Sequence, residues 1–188
     1  MSQASHSVKR EKIILGLDPG TSVMGYGLIS AKGQELGLIQ FGVIHLSKYP
    51  NHEVKLKKIF ERVLSLIDDY HPDEVALEAP FFGKNVQSML KLGRAQGVAM
   101  AAALSREIPI IEYAPKKVKQ SVTGNGNASK EQVASMLKTL LNFKETPKLL
   151  DATDALGVAI CHHFQQGNVS TGKKSWKAFL NENPGRVK

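Results

Sequence analysis

The chain of 188 residues lacks the features of secreted, membrane-spanning or zinc-stabilised proteins. Its one cysteine, Cys161, excludes an internal disulfide and any zinc site built on several cysteines. No apolar stretch approaches the roughly 20 residues that a membrane helix requires, and residues 1–12 are polar, without the apolar core of a signal peptide. These absences lead us to expect a cytoplasmic protein.

The chain also lacks the common nucleotide-binding loops, since neither a Walker A sequence nor Gly-x-Gly-x-x-Gly occurs. Residues 18–21, Asp-Pro-Gly-Thr, resemble the first phosphate loop of sugar kinases and actin-like ATPases. That fold requires a second glycine-rich phosphate loop and a much longer chain, and this sequence offers neither. The sequence therefore argues against such an ATPase.

Acidic residues are fewer than basic ones, 17 against 25, which gives a formal net charge of +8. This charge attracts polyphosphates such as nucleic acids, although a lysine-rich stretch can also be an ordinary solvated surface. The basic residues concentrate in two stretches: Lys116, Lys117, Lys119, Lys130 and Lys138 in the second half of the chain, and Lys173, Lys174, Lys177, Arg186 and Lys188 near its end.

Hydrophobic periodicity predicts one α/β domain with a mixed sheet of five strands flanked by helices. Short apolar runs bounded by turn residues predict strands over residues 13–17, 23–30, 36–46, 74–78 and 109–113, and the first three should form an antiparallel meander. Helical spacing predicts helices over residues 54–70, 85–106 and 149–164.

Local signals predict the remaining connections. Pro115 suits a first helical position, residues 121–129 read as a flexible turn, and Ser129 with Gln132 fits a capping box for a helix that ends at Leu141. Residues 144–148 read as a loop. Beyond Gln165 the chain loses its periodicity and turns polar, which predicts a tail or mobile arm.

Four acids occupy positions where they could converge on divalent metal ions. Asp18 and Glu78 each end an apolar run, and Asp151 and Asp154 lie three residues apart, so that they share one face of a helix. Carboxylate oxygens suit Mg²⁺ or Mn²⁺, and two such ions about 4 Å apart can promote phosphodiester hydrolysis. The protein thus combines acids that suit hard metal ions with a positive net charge. This combination predicts phosphodiester chemistry on nucleic acid.

Each acid also has a purely structural explanation. Asp18 before Pro-Gly could shape a turn, and Asp151 and Asp154 could stabilise the start of a helix. Glu78 is harder to explain in this way, because a glutamate at the end of an apolar strand is costly unless it is paired. His162 and His163 point in different directions, so one of them could face the site, but packing or surface roles are the simpler explanation.

Several ordered and specific segments occur together in this chain: residues 14–21 with Gly25-Tyr26-Gly27, Leu77-Glu78 with Phe81 and Lys84-Asn85, residues 90–99, Glu112-Tyr113-Ala114 with Val118-Lys119-Gln120, and residues 151–156. Through these segments the chain resembles, from residue 13 to residue 164, the RuvC family of bacterial Holliday-junction resolvases.

The resemblance implies an RNase H-like fold and a homodimer that makes symmetric, Mg²⁺-dependent nicks in four-way DNA junctions. Two Mg²⁺ ions per subunit, replaceable by Mn²⁺, would be held by the four acids, and a RuvA–RuvB branch-migration complex would be a partner. Lys119 and Lys130 fall on basic positions near the scissile phosphate, and Phe81 falls on an aromatic that contacts bases. The candidate DNA-binding residues are Phe81, Lys84, Lys91, Arg94, Lys116, Lys117, Lys119 and Lys130.

We expect an N-terminal extension over residues 1–12, a nuclease domain over residues 13–166 and a basic tail over residues 167–188. Two other functions remain compatible with the acids. An RNase H-like nuclease with a different nucleic-acid substrate would use the same residues, whereas a non-catalytic junction-binding protein would carry them for structural reasons.

Overall fold

The computed structural model describes residues 10–80, 85–143 and 150–167 of the chain. The predicted loop at residues 144–148 and most of the predicted tail lie outside these residues. The elements of the described part are, in chain order, β1 (Lys12–Asp18), β2 (Val23–Lys32), β3 (Glu35–His45), α1 (His52–Tyr70), β4 (Glu74–Glu78), α2 (Val86–Leu104), β5 (Ile110–Tyr113), α3 (Pro115–Thr123), α4 (Lys130–Leu141) and α5 (Asp151–Gly167).

The five strands form one mixed sheet in the order β3-β2-β1-β4-β5. Strands β1, β2 and β3 are antiparallel neighbours, whereas β4 runs parallel to β1 and β5 runs parallel to β4. This arrangement confirms the predicted five-stranded mixed sheet with an antiparallel meander. No helix within the described ranges is long and apolar enough to cross a membrane.

The helix boundaries follow from identifiable capping residues. Asn51 caps α1 by accepting from the backbone N–H of Val54, and Ser129 forms the predicted capping box with Gln132 at the start of α4. Helix α3 starts at Pro115, as predicted, but it continues to Thr123 and ends at a left-handed Gly124. It therefore covers the first three residues of the predicted turn, because Val122 is buried against the core.

Alternation along the strands directs side chains to the two faces of the sheet. Leu15 and Leu17 of β1 and Leu77 of β4 pack in the core beneath α1 and α2. The intervening positions face the layer of α3, α4 and α5, where Ile14 packs with residues of α4 and α5. By the same alternation Asp18 and Glu78 point towards α5, and each follows a run of apolar residues in its strand.

A polar network joins α5 to the sheet, and Glu74 and Lys12 enter it from the ends of β4 and β1 that are remote from Asp18. His162 is 1% exposed; its Nδ1 lies 2.8 Å from the Tyr113 hydroxyl oxygen, and its Nε2 lies 3.0 Å from Oε2 of Glu74. Lys12 donates to the other oxygen of Glu74, and the Gln166 amide also donates to Oε2 of this carboxylate. His162 therefore has a packing role in the fold. Its acidic partner is Glu74 and not one of the four predicted metal-binding acids.

We expect Glu74→Gln to destabilise the protein at neutral pH. Burial acts to raise the pKa of Glu74, but hydrogen bonds from His162, Lys12 and Gln166 outweigh it and hold the pKa below its usual value. A carboxyl with a lowered folded pKa contributes stability that is present above its unfolded pKa and is lost as the pH falls through the folded pKa. The variant should lose about 2 kcal/mol of unfolding free energy at pH 7.

Urea unfolding at several pH values would measure this effect. The difference between the variant and the natural chain should shrink below about pH 4.5, where the unfolded glutamate is itself protonated. Glu35→Gln, at an exposed position at the start of β3, is the matched control and should change stability by less than about 0.5 kcal/mol. Equal stability of Glu74→Gln and the natural chain at pH 7 would contradict the proposed role of the network.

Candidate active site

Two strand ends and one helix start meet at a single edge of the sheet. Asp18 and Glu78 are the last residues of the parallel neighbours β1 and β4, which pair as far as Leu17 with Leu77. Helix α5 begins at Asp151 beside this edge. One carboxylate oxygen from each of Asp18, Asp151 and Asp154 lies within 4.8 Å of the others, which is a spacing suited to a shared metal ion.

Glycines in the first two strands allow α5 to approach this closely. Gly25 is paired with Asp18 across the sheet, and a Cβ atom at Gly25 would lie 2.0 Å from the carbonyl oxygen of Asp151. A Cβ at Gly16 would lie 2.1 Å from the carbonyl oxygen of Ala155, one turn further along α5. No side chain fits at these distances, so the glycines set the position of the first turn of α5 and of its two aspartates.

Sequence reasoning missed this contribution of the glycines. Gly25 and Gly27 entered the sequence analysis only as part of the family resemblance, with no structural role. The available signal was the occurrence of glycines at alternate positions within β-strands, where glycine commonly marks a close approach of another backbone.

The acids open onto a cavity of about 290 Å³ that also contains two lysines. Its lining includes Asp18, Glu78 and Asp154 together with Lys119 of α3 and Lys130 of α4. Nζ of Lys130 lies 2.5 Å from Oδ2 of Asp154. Glu78 thus shares the cavity with the candidate metal-binding cluster. The carboxylate oxygens that lie within 4.8 Å of one another are, however, those of the three aspartates.

Burial and mutual repulsion raise the pKa of three of these carboxyl groups, those of Asp18, Glu78 and Asp154. Burial, followed by the charges of Glu78 and Asp154, raises the pKa of Asp18 from 3.8 to about 8. Burial and the charge of Asp154 raise the pKa of Glu78 to about 7. Burial also raises the pKa of Asp154, against the opposing hydrogen bond from Lys130. A bound divalent cation would relieve this repulsion, so the donor set fits a hard metal ion.

Lys130 is the cation that lies closest to the acids in the described residues. Burial acts to lower its pKa, but the hydrogen bond and charge of Asp154, followed by the charges of Asp151 and Asp18, raise the pKa above its usual value. The ammonium group therefore stays charged at neutral pH. A residue that is charged, exposed and already directed at the acids is well placed to contact an anionic substrate.

A second, smaller cavity lies on the other side of Asp18 and Glu78. Gln96 of α2 lines it and is 5% exposed, and its amide donates to the Glu112 carboxylate of β5. Sequence reasoning did not single out Gln96, because a glutamine within a helix of small residues carries no chemical signal by itself.

The remaining predicted DNA-binding residues are more widely spread. Lys116 and Lys117 are exposed on α3, beside the cavity, and Lys91 and Arg94 are exposed on α2. Phe81 and Lys84, together with the neighbouring Phe82, lie outside the described residues. The catalytic, metal-binding and DNA-binding roles of all these residues stay predictions.

Comparisons with known proteins identify the family. A family model for "Crossover junction endodeoxyribonuclease RuvC" matches residues 14–162. The RuvC protein of Cytophaga hutchinsonii is 71% identical over 178 residues, which cover 95% of this chain and 89% of that protein. The RuvC protein of Bacteroides fragilis is 60% identical over 183 residues, which cover 95% of this chain and 97% of that protein.

A solved structure agrees with this assignment. The structure of Thermus thermophilus RuvC in complex with a Holliday junction substrate matches with a TM-score of 0.79 at 32% identity, over 84% of this chain and 96% of that one. The sheet, its flanking helices and this match define an RNase H-like enzyme of the resolvase class. The chain belongs to the RuvC family of crossover junction endodeoxyribonucleases.

Proposed function

We propose that this protein resolves Holliday junctions in recombination and repair by cutting two strands of a four-way junction at symmetric positions. The observation that carries the proposal is the single cleft in which Asp18, Glu78 and Asp154 face Lys119 and Lys130, in a chain that belongs to this endonuclease family. In each cut, a water oxygen bonds to phosphorus and the bond from phosphorus to the 3′-oxygen breaks. The products are a 3′-hydroxyl and a 5′-phosphate, which a ligase can seal.

The four acids would hold two Mg²⁺ ions per subunit, with Mn²⁺ as a functional substitute. When bound, such ions supply a more acidic water and stabilise the leaving oxygen of an in-line displacement. The three aspartates support this assignment through the spacing of their oxygens. Glu78 supports it through its place in the same cavity and through the raised pKa that it shares with Asp18.

The two cleft lysines would stabilise charge on the phosphate as the bond breaks. Lys130 is paired with Asp154, so it is oriented towards the acids before substrate arrives. Lys119 enters the cavity from α3 and lowers the pKa of Glu78 through its charge, although burial outweighs it.

We assign Phe81 to stacking on a base near the junction centre, where an aromatic can replace lost base stacking. Contacts with the phosphate backbone of the DNA would also come from Lys84, Lys91, Arg94, Lys116 and Lys117.

We propose a homodimer whose interface includes the outer face of α2. Val86, Leu90 and Leu104 are 68%, 52% and 59% exposed, although each is a large apolar residue. Gly93 and Gly97 lie on the same stripe of the helix, and a Cβ at either would meet no atom within 4 Å. An apolar stripe with small residues at its centre allows two copies of a helix to approach closely, and a twofold dimer would present one cleft to each of two equivalent cuts.

Leu90→Glu should therefore convert the dimer into a monomer. A twofold axis places the substitution in the interface twice, and burial of unpaired carboxylates should weaken association by about 100-fold or more. Sedimentation equilibrium across a concentration series measures the change. Met136→Glu on α4, also an exposed apolar residue, is the matched control and should leave the mass unchanged. If Leu90→Glu and the natural chain associate equally, the α2 face is not the interface.

The RuvC resemblance supports two further proposals. The protein would act in the cytoplasm, and it would work with a RuvA–RuvB branch-migration complex that delivers junctions to it. We also propose the predicted division of the chain, with an extension over residues 1–12, a nuclease domain over residues 13–166 and a basic tail over residues 167–188.

The experiment that tests the function is cleavage of an end-labelled synthetic four-way junction with Mg²⁺, beside a linear duplex of the same sequence. We expect paired symmetric nicks in the junction, no cutting of the duplex, and no nicks when a chelator replaces the metal. The nicked products should be sealed by a ligase. Equal cutting of junction and duplex would favour a different RNase H-like nuclease. Tight junction binding without nicks, across several sequences and both metals, would favour a junction-binding protein.

A further inference from the structure

A second charged cavity lies at the outer edge of the sheet, away from the cleft. Its volume is about 390 Å³, and it lies between the end of β3, the turn that follows and one side of α1. The side chains that give it its chemistry are His45, Lys48, Tyr49, Lys58, Glu61 and Arg62. None of these residues belongs to the site described above.

The cavity is at the same end of the sheet as the acids. His45 pairs with Val23 at the start of β2, and Asp18 pairs with Gly25 two residues further along β2. Strand β3 is two strands from β1, a lateral distance of about 10 Å. The helix that completes the cavity is α1, which packs on the face of the sheet opposite α5. A ligand that reaches both sites must therefore extend around the end of the sheet.

A buried tyrosine holds Arg62 at the cavity. Nη2 of Arg62 lies 3.2 Å from the hydroxyl oxygen of Tyr26, and the guanidinium carbon lies 5.2 Å from the centre of the Tyr26 ring. Tyr26 is 6% exposed and belongs to the core, so it fixes the position of the arginine. In the described part of the chain no carboxylate lies within ion-pair distance of Arg62. The planar guanidinium thus keeps donors for an anion.

The other charges of the cavity leave it positive. Among the described residues that line it, Glu61 is the one acid, and that carboxylate is already paired with Lys58 at 2.6 Å and with Lys57 at 3.7 Å. Lys48 lies in the turn after β3 with its Nζ 5.4 Å from the Tyr49 ring centre. No carboxylate of the described residues forms an ion pair with Lys48. Lys48 and Arg62 are therefore two cations with uncommitted donors in one concave site.

We infer that this cavity binds a backbone phosphate of a junction arm, at a point beyond the strands that are cut. The inference rests on the proposed function and extends its substrate contacts to a face of the protein that the cleft does not reach. A four-way junction is large enough to reach both sites, because each duplex arm carries phosphates at close intervals along its length. The contact would hold the arm in place without touching the reacting atoms, so its loss should weaken binding but leave the cutting step unchanged.

The test is the double variant Lys48→Gln/Arg62→Gln, measured by junction binding in a chelating buffer across a range of salt concentrations. We expect binding about tenfold weaker than that of the natural chain, and a slope of log Kd against log salt that is smaller by about one, since one phosphate contact is lost. Lys32→Gln is the matched control. Lys32 is exposed at the other end of β2, and its loss should change Kd by less than about twofold.

Two further measurements keep the result interpretable. Lys48→Gln alone leaves the Arg62–Tyr26 contact intact, and it should give about a threefold loss in binding if the double variant unfolds. The nicking rate at saturating junction should be unchanged in both variants. If the natural chain binds and nicks junctions and the double variant retains its affinity and salt slope, this inference alone is wrong. If the natural chain does not bind junctions, the proposed function fails and the inference fails with it.

Discussion

Asp18→Asn should reduce junction nicking by about 10³-fold or more while leaving junction binding nearly unchanged. The substitution removes one carboxylate oxygen from the acidic cluster. In this cluster an oxygen of Asp18 lies within 4.8 Å of oxygens of Asp151 and Asp154. The metal ions would then lack the ligand that strand β1 contributes beside the two aspartates of α5. Binding should stay within about twofold of the natural affinity, because the loss of an acid from a basic cleft does not weaken attraction to phosphate.

Single-turnover nicking and junction binding measure the two effects separately. Asp69→Asn, an exposed position of α1, carries the same chemical change and should cut at the natural rate. Glu78→Gln should behave like Asp18→Asn if it also contacts the metal. If the Asp18→Asn variant nicks junctions at the rate of the natural chain, the assignment of Asp18 to a metal site is wrong, whatever the outcome for junction binding.

The same variant should be more stable than the natural chain when metal is absent. The pKa of Asp18 is raised to about 8 in the folded protein, so the folded state loses stability relative to the unfolded state as the pH rises from about 4 to 8. Asparagine carries no charge, and its advantage at pH 8 should be about 2 kcal/mol, or a Tm higher by about 4–8 °C. Calorimetry measures it, and added Mg²⁺ should raise the Tm of the natural chain more than that of the variant.

Gly25→Ala should disrupt both folding and cutting, although it adds only a methyl group. The new Cβ would lie 2.0 Å from the Asp151 carbonyl oxygen, so the first turn of α5 would have to move away from the sheet. We expect a loss of about 3 kcal/mol in unfolding free energy. Nicking should fall by about 100-fold at a temperature where the variant remains folded, because Asp151 and Asp154 would no longer meet Asp18.

Denaturant unfolding and single-turnover nicking test this expectation. Gly37→Ala provides the control within the same sheet, since a Cβ there approaches only the Ser30 side chain, which can rotate away. That variant should lose less than about 1 kcal/mol and keep its activity. A stable, active Gly25→Ala protein would show that α5 does not depend on this close approach.

The elements of the fold were largely readable in the sequence. Each of the five predicted strands and each long helix occurs within a few residues of its predicted bounds, because apolar periodicity and capping residues act over short distances along the chain. Asp18 and Glu78 could also be placed correctly at strand ends, since each follows a continuous apolar run. The antiparallel pairing of β1, β2 and β3 also followed from their short connections, whereas the parallel pairing of β4 with β1 and of β5 with β4 was not predicted.

The construction of the site was decided by tertiary structure. Periodicity could not show that Gly25 lies beneath Asp151, that Lys130 pairs with Asp154, or that His162 binds Glu74 at the far end of the sheet. It also gave no sign of the cavity between β3 and α1. Sequence patterns record which residues are apolar and where the chain turns, and these determined the family, the elements and the candidate acids. Distances between residues far apart in the chain depend on how α5 and α1 pack on the two faces of the sheet, and only the folded structure sets that packing.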